Sequence, residues 1–246
     1  SIASPRRRMP QAMARAAATV AAALDDPTRF TLGVGVSHRP IVEGVHGLRY
    51  DTNARHLREY LTVLDAVRRD GRVAFSGEEY VANDDLGALP RDFGLVVAAL
   101  APRSLAAAGE LADGTVTWMA NARAVGELIA PRIREAATAA GRPDPRVVVG
   151  LPVAVTDDVD AGRDAAARAF AIYGTLPNYQ RVLAAGGASS PADVALVGDE
   201  DAVAGAVRAV FEAGATELWA APFPVGDDRR ASRARTRALL RDLAAG

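Results

Sequence analysis

Residues 95–119, LVVAALAPRSLAAAGELADGTVTWM, constrain the fold more than any other part of the chain, because they read as two short buried strands joined by one helical segment. Leu95 to Leu100 is a continuous apolar run, as expected of a parallel strand covered on both faces. The sequence Ala101-Pro102-Arg103-Ser104 then starts a helix, with Pro102 at an early position where its missing N–H costs nothing. Residues 108–114, AGELADG, end that helix and return the chain into a second strand, Thr115-Val116-Thr117-Trp118. The result is a βαβ unit, a local architecture that commonly binds an anion or a ring at its strand ends.

The same alternation runs along most of the chain. Residues 10–24 are Ala-rich and helical in propensity, and residues 30–36 read as a buried strand ending at Ser37-His38. A long loop over 39–52 leads to a helix capped by Asn53, with Leu57, Leu61, Leu64 and Val67 at helical spacing. Residues 72–81 have the alternation and Gly77 turn of a small hairpin outside the main sheet. Beyond the opening unit come a helix over 122–140, a strand over 147–155, and helical pieces over 158–173 and up to Ala185. Asp199 caps a helix over 202–213, residues 217–221 make a last strand, and an Arg-rich helix ends the chain. Repeated β-then-α order predicts a parallel sheet. Only five core strands are countable, so the residues alone leave two architectures open, an open sheet or an incomplete (β/α)8 barrel.

At 246 residues, half of them hydrophobic, the chain reads as a single domain over 1–246. It has no apolar run near the roughly 20 residues of a membrane span and no signal-peptide pattern, so the expectation is a soluble cytoplasmic protein with no membrane partner. The absence of Cys excludes a disulfide framework, a thiolate metal site and a cysteine nucleophile. All 29 basic residues are Arg, which excludes a Schiff-base lysine. A net charge of −1 with acids and bases interspersed does not suggest a nucleic-acid partner, and the Arg6-Arg7-Arg8 cluster reads as a solvated face.

Three groups of residues, in this order and spacing, resemble the luciferase-like monooxygenase class. They are LGVGVSH over 32–38; VAALAP over 97–102 with AGELADG over 108–114; and LPNY over 176–179 with VGD over 197–199. The resemblance extends over nearly the whole chain and is nearest to the actinobacterial branch that uses the deazaflavin coenzyme F420. It implies an α/β fold of the (β/α)8 TIM-barrel type, and so decides between the two architectures. It also implies a barrel incomplete at the N-terminus, with the first two βα units and most of the third strand missing. The polar residue that the second strand of such barrels usually sets beside the coenzyme ring then has no counterpart.

By strand polarity the site lies at the C-terminal strand ends. The resemblance implies that the coenzyme ring rests against Ser37 and against Ala98, Ala99 and Leu100. It implies a coenzyme phosphate near the turn from Ala101 to Ser104, where unpaired N–H groups at a helix start favour an oxyanion, and near the strand end at Thr117, Trp118 and Met119. His38 directly follows a core strand and is the candidate proton donor or acceptor, with Glu43 as a second acid/base. Tyr179 is the candidate substrate contact, and Asp113 reads as a turn former bonding nearby backbone. His46 sits in a loop that could cover the site, and His56 reads as part of a solvated helix face. Three scattered His residues offer no metal spacing.

The expected activity is hydride transfer between F420 and a small organic substrate in a homodimeric enzyme. The alternatives are an FMN-dependent monooxygenase or reductase of the same class, and a truncated, non-catalytic protein that binds a coenzyme or partner.

Overall fold

The apolar runs form parallel strands, and the helices between them bury one stripe each. The structure, a computed structural model, describes residues 9–87 and 92–245. The Arg6-Arg7-Arg8 cluster and residues 1–5, on which the incomplete-barrel reading turns, lie outside the described residues. The chain divides into two compact units, one running through Val116 and taking in Ile133–Pro145, the other comprising Thr117–Arg132 and Arg146 onward.

In the first unit the order is α1 (Pro10–Ala22), β1 (Thr31–Gly35), a π-helical turn Pro40–Val45, α2 (Asn53–Asp70), the hairpin strands β2 (Arg72–Ser76) and β3 (Val81–Asp85), β4 (Gly94–Ala98), α3 (Pro102–Leu111) and the start of β5 (Gly114–Trp118). Strands β1 and β4 are parallel from Thr31 opposite Gly94 to Gly35 opposite Ala98, and β4 continues in register with β5 as far as Ala98 opposite Val116. Gly35, Ala98 and Val116 therefore stand in one row at the C-terminal strand ends. The residues just beyond them, Ser37 and Ala99 to Ala101, form the rim.

The longest of these helices, α2, buries Leu57, Tyr60, Leu61, Val63, Leu64 and Val67, and ends at Gly71, whose φ of 77° is the left-handed conformation that glycine adopts without a Cβ penalty. Its cap is Thr52 rather than the expected Asn53, which is the first helical residue. The hairpin also lies later than expected, because the turn takes 77–80 and the second strand runs on to Asp85. Its tip is held to α2 by Glu59, whose carboxylate accepts the N–H groups of Glu78, Glu79 and Tyr80 at 3.0, 2.8 and 3.0 Å. Gly77 makes room for that carboxylate, since a Cβ there would run into it.

A second close approach occurs at Gly109 in α3. A Cβ at this position would lie 2.5 Å from the Ile133 carbonyl oxygen and 2.9 Å from the Ala137 nitrogen, both backbone atoms of the neighbouring helix. Asp113, in the turn that follows, accepts the Leu95 N–H at 2.8 Å and forms a two-pronged ion pair with Arg68 of α2. Arg142 bridges Asp113 at 3.2 Å and the buried Asp65 at 3.3 Å. Asp113 thus bonds nearby backbone, as expected of a turn former, but also anchors an ionic network at the strand end opposite the rim. Burial pushes its carboxyl upward, but the Arg68 guanidinium outweighs this and holds it below the usual carboxylate range.

The second unit is built on the long strand β6 (Arg146–Val155), whose Val147, Val149, Leu151 and Val153 are wholly buried. Strand β8 (Glu217–Pro222) pairs in parallel with Val148 to Val153, and β7 (Leu196–Gly198) with Val153 to Val155. Strand β7 was not among the five expected, because three residues are too few to show a period. The helices Val159–Phe170 and Glu200–Glu212 are capped by Asp158 and Asp199, the latter as expected. The helix expected over 122–140 is present with a π-helical turn at Val125–Ile129. The C-terminal helix Arg229–Ala245 is fixed by the buried Thr236, whose hydroxyl oxygen accepts the Val155 N–H at 2.9 Å.

Two predictions test this packing. Gly109→Ala forces α3 off the neighbouring helix and lowers stability by about 1–3 kcal/mol, read from the urea midpoint. Asp113→Asn costs about 2 kcal/mol at neutral pH, toward the low end for a partly buried pair. Because the folded-state acidity of Asp113 lies below its ordinary value of 3.8, that contribution is complete above pH 3.8 and is lost as pH falls through the folded value. Thermal melts of the two proteins therefore converge in strong acid.

Candidate functional site

At the rim of the first unit, β1 runs out through Ser37, a non-glycine residue in the left-handed region with φ 61°. That conformation costs an L-residue about 1–2 kcal/mol, so it persists only where surrounding contacts hold it, and such residues cluster at functional sites. The Ser37 carbonyl oxygen accepts a hydrogen bond from the Tyr50 hydroxyl at 2.7 Å. His38 follows, and its carbonyl caps the π-helical turn by accepting the N–H groups of Ile41 and Val42 at 3.0 and 2.9 Å. The side chain is partly buried, and that burial pushes the imidazole below its ordinary value of 6.5.

Glu43 occupies the π-helical turn, exposed, with its carboxylate bonded to Arg39 at 2.6 Å. It is on the same loop as His38, but its charge is already engaged. Ala98, Ala99, Leu100 and Ala101 lie across from Ser37 at the end of β4, with Ala99 buried and the other three partly exposed. Ala101 caps α3 with no side-chain bond, and the first turn of that helix has no acidic residue. The positive end of α3 is consequently not neutralised by its own sequence.

In the second unit, β5 ends in Thr117 and Trp118, and Met119 follows. Met119 also has a left-handed backbone, φ 63°, held by its N–H donating to the Gly150 carbonyl at 3.1 Å. The Thr117 and Met119 side chains are buried, which confines any ligand contact there to backbone atoms. Trp118 packs among aromatic rings, with centroids of Phe170, Tyr173 and Trp219 at 6.0, 5.7 and 5.3 Å. Gly150 is the floor beneath two of these, since a Cβ there would lie 2.8 Å from Trp219 and 2.9 Å from Trp118. Tyr179 stacks edge-on against Tyr173 at 5.0 Å and is 9 % exposed. Burial pushes its hydroxyl up to about 12, so at neutral pH it remains a protonated phenol, a donor rather than a base.

The structure thus brings Ser37, His38, Glu43 and Ala98 to Ala101 to one rim of the first unit. It places Thr117, Trp118, Met119 and Tyr179 in an aromatic region of the second. Among the described residues no cluster of His, Cys, Asp and Glu could hold a metal ion, and no helix is long and apolar enough to cross a membrane.

Two features were not read from the sequence. Tyr50 was passed over because its bond to Ser37 spans a loop. His56 is not on a solvated face: it is 7 % exposed, with Nε2 at 3.0 Å from the Tyr80 hydroxyl and Nδ1 at 3.5 Å from Glu79. The missed signal was its spacing, one turn before Tyr60 on the buried stripe of α2. His56, Tyr80, Thr52 and Arg49 line a cavity of about 520 Å3 beside the hairpin tip.

Comparison with known proteins agrees with this architecture. Two mycobacterial proteins of uncharacterized function, Mb1395 of Mycobacterium bovis and Rv1360 of Mycobacterium tuberculosis, are 28% identical over 174 residues, which is 63% of this chain. The chain spans about half the length of these curated relatives, the match covering 50% of each. Among solved structures, an F420-dependent secondary alcohol dehydrogenase in complex with an F420-acetone adduct superposes with a TM-score of 0.78 at 18% identity, over 98% of this chain and 78% of that one. The coenzyme F420 dependent tetrahydromethanopterin reductase of Methanopyrus kandleri gives 0.70 at 19% identity, over 94% and 78%. The oxygenating constituent of 3,6-diketocamphane monooxygenase from Pseudomonas putida, in complex with FMN, gives 0.65 at 19%, over 94% and 72%. Those neighbours share the α/β fold of the luciferase-like TIM barrels. Residues 1–244 match the family described as luciferase-like monooxygenase, and the chain belongs to that family.

Proposed function

We propose that this protein is an oxidoreductase that transfers a hydride between the deazaflavin coenzyme F420 and a small organic substrate. The observation that carries the reading is the rim of the first unit. There a strained Ser37, a run of alanines at the end of β4, an uncapped α3 N-terminus and a partly buried His38 share the strand-end rim. Small side chains at Ala98, Ala99 and Ala101 fit a planar ring approaching the backbone, and the α3 N-terminus fits the coenzyme phosphate. In the second unit the proposal assigns Thr117, Trp118 and Met119 to the coenzyme and Tyr179 to the substrate. The F420-dependent neighbours support this choice of coenzyme, and residues 1–246 are read as one barrel domain acting as a cytoplasmic homodimer.

When bound, the coenzyme supplies the hydride chemistry, and the chain supplies position and a proton. Ser37 and the β4 alanines would fix the ring plane, and the N–H groups at the start of α3 would neutralise the phosphate charge. His38 would give a proton to the substrate oxygen in the reducing direction and take one in the oxidising direction. Tyr179, protonated at working pH, would orient a substrate acceptor atom.

An FMN-dependent monooxygenase or reductase is the second reading, because an FMN complex is among the similar structures. Spectroscopic titrations with F420 and with FMN separate the two. F420 is expected to saturate with a shifted absorption band, and FMN binding without F420 binding would replace the proposal with the second reading. Binding of neither would leave a non-catalytic protein.

His38→Asn is expected to lower kcat about 100-fold while leaving coenzyme affinity within about twofold. Because burial holds the imidazole below 6.5, substrate reduction should fall as pH rises through that lowered value, and the reverse reaction should rise over the same interval. Identical pH profiles for wild type and His38→Asn would remove His38 from the chemistry.

A further inference from the structure

Tyr50 reaches the turn around His38 on both sides. Ser37, on one side, keeps its left-handed backbone with its carbonyl oxygen bonded to the Tyr50 hydroxyl at 2.7 Å. Arg39, on the other side, reaches the same residue twice. Its guanidinium lies 5.4 Å from the centroid of the Tyr50 ring, and its Nη2 donates to the Tyr50 carbonyl at 3.4 Å. The remaining arm of that guanidinium bonds Glu43 at 2.6 Å. Tyr50 itself is 8 % exposed, so its ring is fixed by packing as well as by these bonds. It reaches back over a loop whose reversal is helped by Gly47, at φ 64°.

From this geometry we propose that Tyr50 is a positioning residue for the reaction. By gripping the backbone before His38 and the side chain after it, Tyr50 sets the direction in which the imidazole points. This rests on the proposed role of His38, but the contact itself does not depend on which coenzyme binds.

The physical logic is specific. A serine at φ 61° relaxes toward the extended or right-handed regions unless something holds it, and either relaxation rotates the peptide joining Ser37 to His38. The Tyr50 hydroxyl supplies the hold, whereas its ring supplies the surface on which Arg39 lies. Removing only the oxygen therefore separates the two. The charged and titratable groups on the His38 loop are Arg39, Glu43, His46, Arg49, Tyr50 and Asp51, with Arg39 paired to Glu43 and Arg49 to Asp51. A change in the His38 environment is thus expected to come from its burial rather than from a new charge.

Tyr50→Phe keeps the ring and deletes the hydroxyl. The expected results are a kcat reduced about tenfold or more with a coenzyme KM close to wild type, and a His38 imidazole titration, followed by NMR and assigned with His38→Asn, that moves up toward 6.5. Glycine at position 37 takes φ 61° without strain, so Tyr50→Phe should have a smaller effect in a Ser37→Gly background than in the wild type.

A His38 titration unmoved by Tyr50→Phe would overturn the proposal, as would equal effects of Tyr50→Phe in the two backgrounds. A lowered thermal midpoint with no change in His38 would also count against it, since it would mark a merely structural hydroxyl. The NMR measurement needs no coenzyme. If F420 fails to bind yet Tyr50→Phe still moves His38, the hydride-transfer reading fails while the positioning geometry stands.

Discussion

The grip of Asp113 on the start of β4 is the contact on which the first unit depends. Its carboxylate accepts the Leu95 N–H, pairs with Arg68 of α2 and meets Arg142 beyond the neighbouring helix. One side chain therefore ties a strand, a helix and a loop together at the strand end away from the rim. Leu95 is three residues before Ala98, so fixing the strand at its start also fixes where Gly35, Ala98 and Val116 line up. A surface ion pair would not do this, because water screens it and its geometry is loose. The low exposure of Arg68 and Asp65 keeps the network directional.

Strain is concentrated at the other end. Among the described residues the two non-glycine positions with positive φ are Ser37 and Met119, each just past the end of a parallel strand. Each is held by a hydrogen bond, the first through a tyrosine hydroxyl and the second through the Gly150 carbonyl. Both lie past C-terminal strand ends, the position at which (β/α)8 barrels in general carry their active sites. The hairpin follows a different rule. Its tip is joined to α2 by a polar clasp of Glu59, Arg55 and His56 and by the Tyr80 ring packed edge-on against Tyr60.

Much of this was legible in the residues. The βαβ unit over 95–119 emerged as a strand, a helix beginning at Pro102 and a strand ending at Trp118, because a continuous apolar run and a Pro-started, Gly-ended helix are local signals. Ser37, His38 and Ala98 to Ala101 were placed at strand ends for the same reason. Glu43 was legible as a neighbour of His38 in sequence, but its engagement with Arg39 required the π-helical turn that brings them together. Thr117 and Met119 were expected at a strand end, where they are found. Their burial follows from which way each side chain points, and that depends on what packs against the strand.

The sequence by itself determined the order and direction of the strands, the cap at Asp199, and the small residues along the rim, since periodicity and turn chemistry act over a few residues. Only the tertiary structure decided what those residues touch. The Tyr50 hydroxyl reaches Ser37 across 13 positions, Asp113 reaches Arg68 across 45, and His56 meets Tyr80 across 24. No local pattern encodes such pairings, because each is chosen by the packing of elements that are distant along the chain. The parallel α/β class could therefore be read from the residues, whereas the bond from Tyr50 to Ser37 beside His38 could not.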